Sequence, residues 1–261
     1  IQNASRLDFA INYYLYKKKK TQDNNKSFYI PNYFCFGKVE EKDCQKYNIK
    51  VDKFYNVGSI RVANFFEYLK NNKIKLNKNK YDICLISEPA KFYNKNMSVD
   101  NAEKGFAETV RYTIEFSRKN NLKFIFAGKR ITSSEKNYFE MKFYREHLSN
   151  DNFNYLVNNM VLKTAENKYS SYSAIFESKV AIGTASTLLK DKIGCGEKIL
   201  SCNLTNFDLL NFPIEGICSI NNCSYNQFEE RIEKILKIDI DDYFNNNSLH
   251  QDYVMNFDKN I

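Results

Sequence analysis

Histidine is nearly missing from this chain: 261 residues carry only His147 and His250, both in polar settings. The seven cysteines contain no C-x-x-C pair, so no spacing suits a zinc site and Cys–His catalysis has little basis. No run of eighteen apolar residues occurs, so no segment reads as membrane-spanning. No secretory signal is visible, although residue 1 is Ile rather than Met, so targeting is left unjudged. No internal repeat or heptad array is found. The cysteines (Cys35, Cys44, Cys84, Cys195, Cys202, Cys218 and Cys223) are odd in number and sit among apolar neighbours. They fit a reduced, cytoplasmic protein that uses cysteine as a small core residue, with no disulfide and no metal expected.

What is present is bulk and positive charge. At 43% hydrophobic, the chain can fold as one large domain or two modest ones. A net charge of +8 favours acidic partners: nucleotides, anionic glycans, phospholipid headgroups or nucleic acid. The plain alternative is a Lys/Asn-rich chain with its lysines spread over the surface.

Strand and helix signals alternate along the sequence, which argues an α/β fold. A β-prone run over 33–37, a short polar helix over 40–47, a strand and turn over 54–59 and a helix over 61–69 come first. They are too few to close a domain, so the chain is expected to begin partway through one. Residues 71–80 are polar and read as a linker. A second series follows: strands at 83–86, 122–127, 180–182 and 198–202, a weaker one at 160–162, and helices over 103–120, 134–148, 170–177 and 225–236. The long helix carries Ala107, Val110, Ile114 and Phe116 as its core stripe; the last one turns Phe228, Ile232, Ile235 and Leu236 inward. This order predicts a doubly wound parallel sheet.

The most informative segment is Gly183-Thr184-Ala185-Ser186-Thr187, a small-residue turn between an apolar strand and a helix whose inner face is Leu188, Leu189 and Ile193. Such a turn offers unpaired backbone N–H groups, the positive end of a helix dipole and hydroxyls, a setting for phosphate or carboxylate. Ser186 or Thr187 acting only as an N-cap is the structural alternative. Ligands of doubly wound sheets bind beyond the carboxyl ends of the strands. Those ends are Ser87-Glu88-Pro89, Gly128-Lys129-Arg130, the Gly-Thr-Ala-Ser-Thr turn and Asn203. Together they suit a nucleotide phosphate with an attached sugar.

This constellation resembles the donor-binding half of a GT-B glycosyltransferase, and more narrowly the bacterial surface-carbohydrate (capsule and lipopolysaccharide) biosynthesis group. The resemblance runs through Ile1-Gln2-Asn3 with Arg6, Phe34-Cys35-Phe36-Gly37-Lys38, Val57-Gly58-Ser59-Ile60-Arg61, Ser170-Ser171-Tyr172, the 183–188 turn and Gly196-Glu197-Lys198-Ile199-Leu200. It implies residues 1–77 as the end of an acceptor-side Rossmann-like domain plus linker, 78–245 as a nucleotide-sugar donor domain, and 246–261 as a tail. It also implies transfer of a sugar, from a CMP-linked acidic donor or another nucleotide sugar, to a glycan or glycolipid acceptor. No cofactor or metal is implied, because helix dipole and side-chain cations stabilise the leaving phosphate.

Within that frame Ser186 and Thr187 would bond the donor phosphate, with Thr184 in the same turn and Gly183 allowing close approach. Lys129 and Arg130 would neutralise phosphate charge. Glu88 would be a general base or a ribose contact. Arg6 would face an acidic sugar or lipid phosphate, with Gln2 and Asn3 beside it. Ser170 and Ser171, after Tyr169, would touch base or ribose. For each, a solvated loop charge or a helix cap is the structural alternative. Lys17-Lys18-Lys19-Lys20 beside Tyr13, Tyr14 and Tyr16 offers peripheral contact with an anionic membrane surface at its inner face, or an ordinary basic turn.

Two rival readings stand. Polyol-phosphate transfer from a CDP-alcohol would want a histidine base in the cleft. A non-catalytic basic nucleotide- or nucleic-acid-binding module would use the abundant Tyr and Phe for stacking; those aromatics fall mostly at inward positions and no RNA-binding motif is present, so nucleic acid is not expected.

Overall fold

A computed structural model of the chain describes residues 29–46, 49–88, 99–129, 135–161, 163–164, 167–248 and 250–257. It is a parallel α/β structure with two sheets. The first pairs β1 (Tyr29–Cys35) with β2 (Lys50–Asn56), joined through helix α1 (Lys38–Lys46), and is followed by α2 (Ile60–Asn71). The second holds β3 (Tyr81–Ile86), β4 (Phe124–Ala127), β5 (Ser178–Gly183), β6 (Ile199–Asn203) and β7 (Ser219–Asn221), all parallel, in the order β4-β3-β5-β6-β7. The remaining helices are α3 (Val99–Lys119), α4 (Glu135–His147), α5 (Asn150–Asn158), α6 (Ser170–Phe176), α7 (Thr187–Gly194), α8 (Tyr225–Lys237) and α9 (Ile240–Asn245).

Strands covered on both faces read as unbroken apolar runs, because neither face meets water. Ile83 to Ile86, all of β4 and all of β6 are accordingly buried. Helix α3 packs with α5 and α8 and against β3 and β6, while α6 and α7 pack together against β4, β5 and β6, so helices flank the sheet in a Rossmann-like arrangement. Along α3 the buried hydroxyls of Thr109, Thr113 and Ser117 donate to the carbonyls of Gly105, Thr109 and Thr113, which lets a polar stripe lie in the core without unmade bonds.

The strand order places the third strand of the series beside the first. The winding therefore reverses between β3 and β5, the position beyond whose carboxyl ends ligands of doubly wound sheets bind.

Phe36, just past the first sheet, and Val62, Phe65 and Leu69 of α2 join the hydrophobic cluster of the second sheet. Phe65 of α2, fully buried, lies 5.4 Å from the ring of Tyr172 and 5.7 Å from that of Phe176, both on α6. The polar stretch 72–80 is not a free tether. The Asn77 N–H donates to Glu177 at 3.1 Å, Lys80 pairs with the same carboxylate at 3.5 Å, and Lys78 pairs with Glu197.

Some local expectations change. Residues 160–162 were expected to form a strand; Met160 makes a single bridge to Phe126, whose carbonyl takes the Val161 N–H. Helices α5 and α9 and strand β7 are additional. Strand β7 is three residues long, too short for a period to show, and α5 and α9 span only nine and six residues, capped by Ser149 and Asp239 and buried through Phe153 and Leu156 and through Tyr243, too few apolar positions to stand out as a stripe.

Replacing Phe65 with Ala should lower the unfolding free energy by about 3–5 kcal/mol, the usual cost of emptying a buried aromatic site. Urea denaturation measures it; a loss below about 1 kcal/mol would show that the α2–α6 stack does not hold the junction.

Candidate functional site

At the switch point the tips of β3 and β5 are joined by a carboxylate. Glu88, two residues past β3, accepts the backbone N–H of Thr184 and, at 3.0 Å, that of Ala185. These are the free donors of the turn between β5 and α7. Gly183 makes the seat possible, since a Cβ there would lie 2.9 Å from Glu88 Oε2. Burial pushes the Glu88 carboxyl above its ordinary range, while the two N–H groups and the nearby Lys129 ammonium act in the opposite direction. The turn is thus an anion nest, and the chain's own carboxylate occupies it.

A second carboxylate braces the neighbouring tip. Glu140 of α4, buried, accepts the Lys129 N–H at 2.8 Å and the Ser87 hydroxyl, and Ser87 Oγ also lies 2.8 Å from the Tyr144 hydroxyl. Burial and the adjacent Glu140 push the Tyr144 phenol up, so it stays protonated and able to donate. Ser87 stands where the sequence placed it, at a converging strand tip, whereas Glu140 and Tyr144 were not singled out. The available signal was spacing: Glu140 shares the inward helical face with Phe143 and Tyr144.

The structure brings Glu88, Lys129, Ser171 and the 183–187 turn to one end of the sheet. Two hydroxyls expected to meet ligand are instead spent inside the fold. That of Thr184 donates to the Cys202 carbonyl at 3.0 Å, which secures the tip of β5 to β6, and that of Ser171 donates to the Gly128 carbonyl at 3.2 Å. Ser170 is buried, and its Oγ finds no partner among the described residues. Ser186 is the N-cap of α7, accepting the Leu188 N–H at 3.3 Å, and Thr187 is the first helical residue, partly exposed. Asn203 is a loop organiser, donating to the Phe207 carbonyl at 2.9 Å and to Asn211 at 2.7 Å. Arg6, Arg130, Gln2, Asn3 and the Lys17–Lys20 cluster lie outside the described residues. His147 Nδ1 sits 2.8 Å from the Phe143 carbonyl on its own helix, and His250 is exposed beside Asp252.

One turn beyond Thr187, α7 buries an acid and a base side by side. Asp191 accepts the Tyr172 hydroxyl at 3.0 Å; the Ser59 hydroxyl is close to the same carboxyl, yet Oδ1 makes no well-formed bond. Burial pushes Asp191 up to about 7 against the pull of Ser59, Tyr172, Arg61 and Lys190. Lys192, with no exposed surface, donates to the carbonyls of Ile175 and Ser178 at 2.5 and 2.9 Å and to Glu197 at 2.6 Å. Burial pushes the Lys192 ammonium down, and Glu197 acts in the opposite direction.

Among the described residues no group of three or more His, Cys, Asp or Glu side chains could hold a metal ion. Asp239-Ile240-Asp241 has the letters of a D-x-D metal motif, but Asp239 caps α9, accepting the Asp242 N–H at 2.8 Å. All seven cysteines are free thiols. No described helix is long and apolar enough to cross a membrane.

Over residues 107–211 the chain is similar to a family described as "putative O-antigen biosynthesis protein". That stretch holds Lys129, Glu140, Ser170, Ser171, the 183–187 turn and Asp191, and is consistent with a role in surface-polysaccharide biosynthesis. No curated protein matches the chain.

Asp191 yields a pH prediction. A carboxyl held above its unfolded value binds its proton more tightly in the native state. Its contribution is therefore full below pH of about 4 and is lost as pH rises to about 7. Asp191→Asn should be more stable than the parent at pH 8, by an amount on the order of 4 kcal/mol, and gain little at pH 4. Thermal unfolding across that range checks it; a difference independent of pH would show that Asp191 does not titrate there.

Proposed function

We propose that this protein is a glycosyltransferase of surface-polysaccharide biosynthesis that takes its sugar from a nucleotide-linked donor. The observation that carries this reading is the occupied nest: two N–H groups at the β3/β5 switch point hold a carboxylate, the same chemistry a donor phosphate presents. The O-antigen similarity over 107–211 supports the biosynthetic context, and the strand order supports the location.

In this reading the donor phosphate displaces Glu88 from Thr184 and Ala185. The N-terminus of α7, with Ser186 and Thr187, and the Lys129 ammonium then stabilise the negative charge that grows on the leaving nucleotide. An acceptor hydroxyl forms the new bond to the anomeric carbon as the bond from that carbon to the phosphate oxygen breaks. Glu88, freed beside the reacting centre, receives the hydroxyl proton. The metal-independent GT-B scheme, the glycan or glycolipid acceptor and peripheral contact with an anionic membrane belong to the same proposal, as does the split into an acceptor-side and a donor-side unit.

Calorimetric titration with CMP, CDP, UDP and GDP tests it. Glu88→Gln removes a competing charge but keeps the side chain's shape, so affinity for the cognate nucleotide should rise about tenfold while sugar transfer falls. Ser186→Ala with Thr187→Ala should weaken binding by roughly 1–3 kcal/mol. If neither variant changes affinity for any of the four nucleotides, the nest is only a structural brace and the reading fails.

A further inference from the structure

The last described stretch returns from the five-stranded unit to the two-stranded sheet. A 3-10 turn (Gln251–Tyr253) touches α1 on one side and α7 on the other. Lys42 of α1 places its ammonium 4.8 Å above the Tyr253 ring. Val254 and Met255 are fully buried. The Asn256 N–H donates to the Phe36 carbonyl at 2.7 Å, just past β1, and its side-chain amide donates to the Asn56 carbonyl at 3.0 Å, at the end of β2.

Three glycines from three elements make room for this stretch. A Cβ on Gly37 would lie 2.7 Å from the Tyr253 carbonyl oxygen, and one on Gly194 would lie 2.6 Å from Met255 Cβ. Gly58, at φ +72°, already needs a glycine, and a Cβ there would run into the Asn256 carbonyl. The cradle spans both units: Gly37 and Gly58 follow the two strands of the small sheet, and Gly194 ends α7.

We propose that residues 250–257 are a clasp that holds the β1–α1–β2 layer against α7, and that the layer loosens as a unit when the clasp lets go. The small sheet has much less of its surface covered than the large one: most residues of β1 and β2 are exposed or only partly buried, whereas β6 is wholly buried. A layer with so little core of its own opens at a lower free energy than the sheet it leans on. The inference rests on packing and does not depend on the proposed chemistry.

Hydrogen exchange followed by mass spectrometry on the full chain tests the clasp. Asn256→Pro removes both Asn256 bonds. Gly194→Ala pushes Met255 from the other unit, since the three atoms nearest its added Cβ all belong to Met255. Both variants should speed exchange across 29–56 about tenfold, while β3, β5 and β6 keep the parental rates. A Gly194→Ala effect confined to α7 would overturn the proposal, as would equal loss of protection in both sheets or no change in either.

Discussion

A parallel sheet leaves backbone N–H groups unpaired where its strands run out into loops, and here glutamate carboxylates close the three adjacent tips. Glu88 ties the end of β3 to the turn after β5; Glu140 ties the residues after β3 and β4 to α4. The strand tips are therefore held in register with one another as well as by the ladder beneath them. The arrangement also sets up a conflict, because groups that satisfy a carboxylate in the free protein are the ones an incoming anion would use. A site built this way trades some order in its loops for access.

Helix α7 concentrates the fold's electrostatic cost. Its N-terminus stands at the switch point, its middle buries Asp191 and Lys192, and its last residue lies under the tail. The two buried groups are handled differently. Lys192 keeps three acceptors, including the carbonyls of Ile175 at the end of α6 and Ser178 at the start of β5, so its charge serves the backbone. Asp191 accepts the Tyr172 hydroxyl, leaves Oδ1 without a partner among the described residues and has a raised affinity for a proton, which makes its neutral form the cheaper one to bury.

Much of this architecture was legible in the sequence, and the pattern of what was not has a physical cause. Strands β3 to β6 show because burial on two faces writes an apolar run, and α3 and α8 show because one-sided burial writes a period. The Gly-Thr-Ala-Ser-Thr turn shows because small residues between strand and helix have few other uses. Its occupant did not, since Glu88 lies 96 residues away from Thr184 and a carboxylate after a strand looks like any loop charge. Glu140 was hidden for the same reason, while Asp191 and Lys192, whose partners lie 5 to 19 residues away, read as ordinary charges on a short helix. A buried polar residue is tolerated because of partners that the chain brings from a distance, such as the 53 residues separating Ser87 from Glu140, and local composition carries no trace of them.

Lys192 gives the protein an internal reporter. The chain is rich in lysines whose amines stand in water and react readily with acylating reagents. The Lys192 amine is sealed, with its three donors engaged by Ile175, Ser178 and Glu197, so reagent reaches it only when α7 parts from these neighbours. Among the described lysines Lys192 is the fully buried one, and the rate at which it takes up label records how long this seam remains shut.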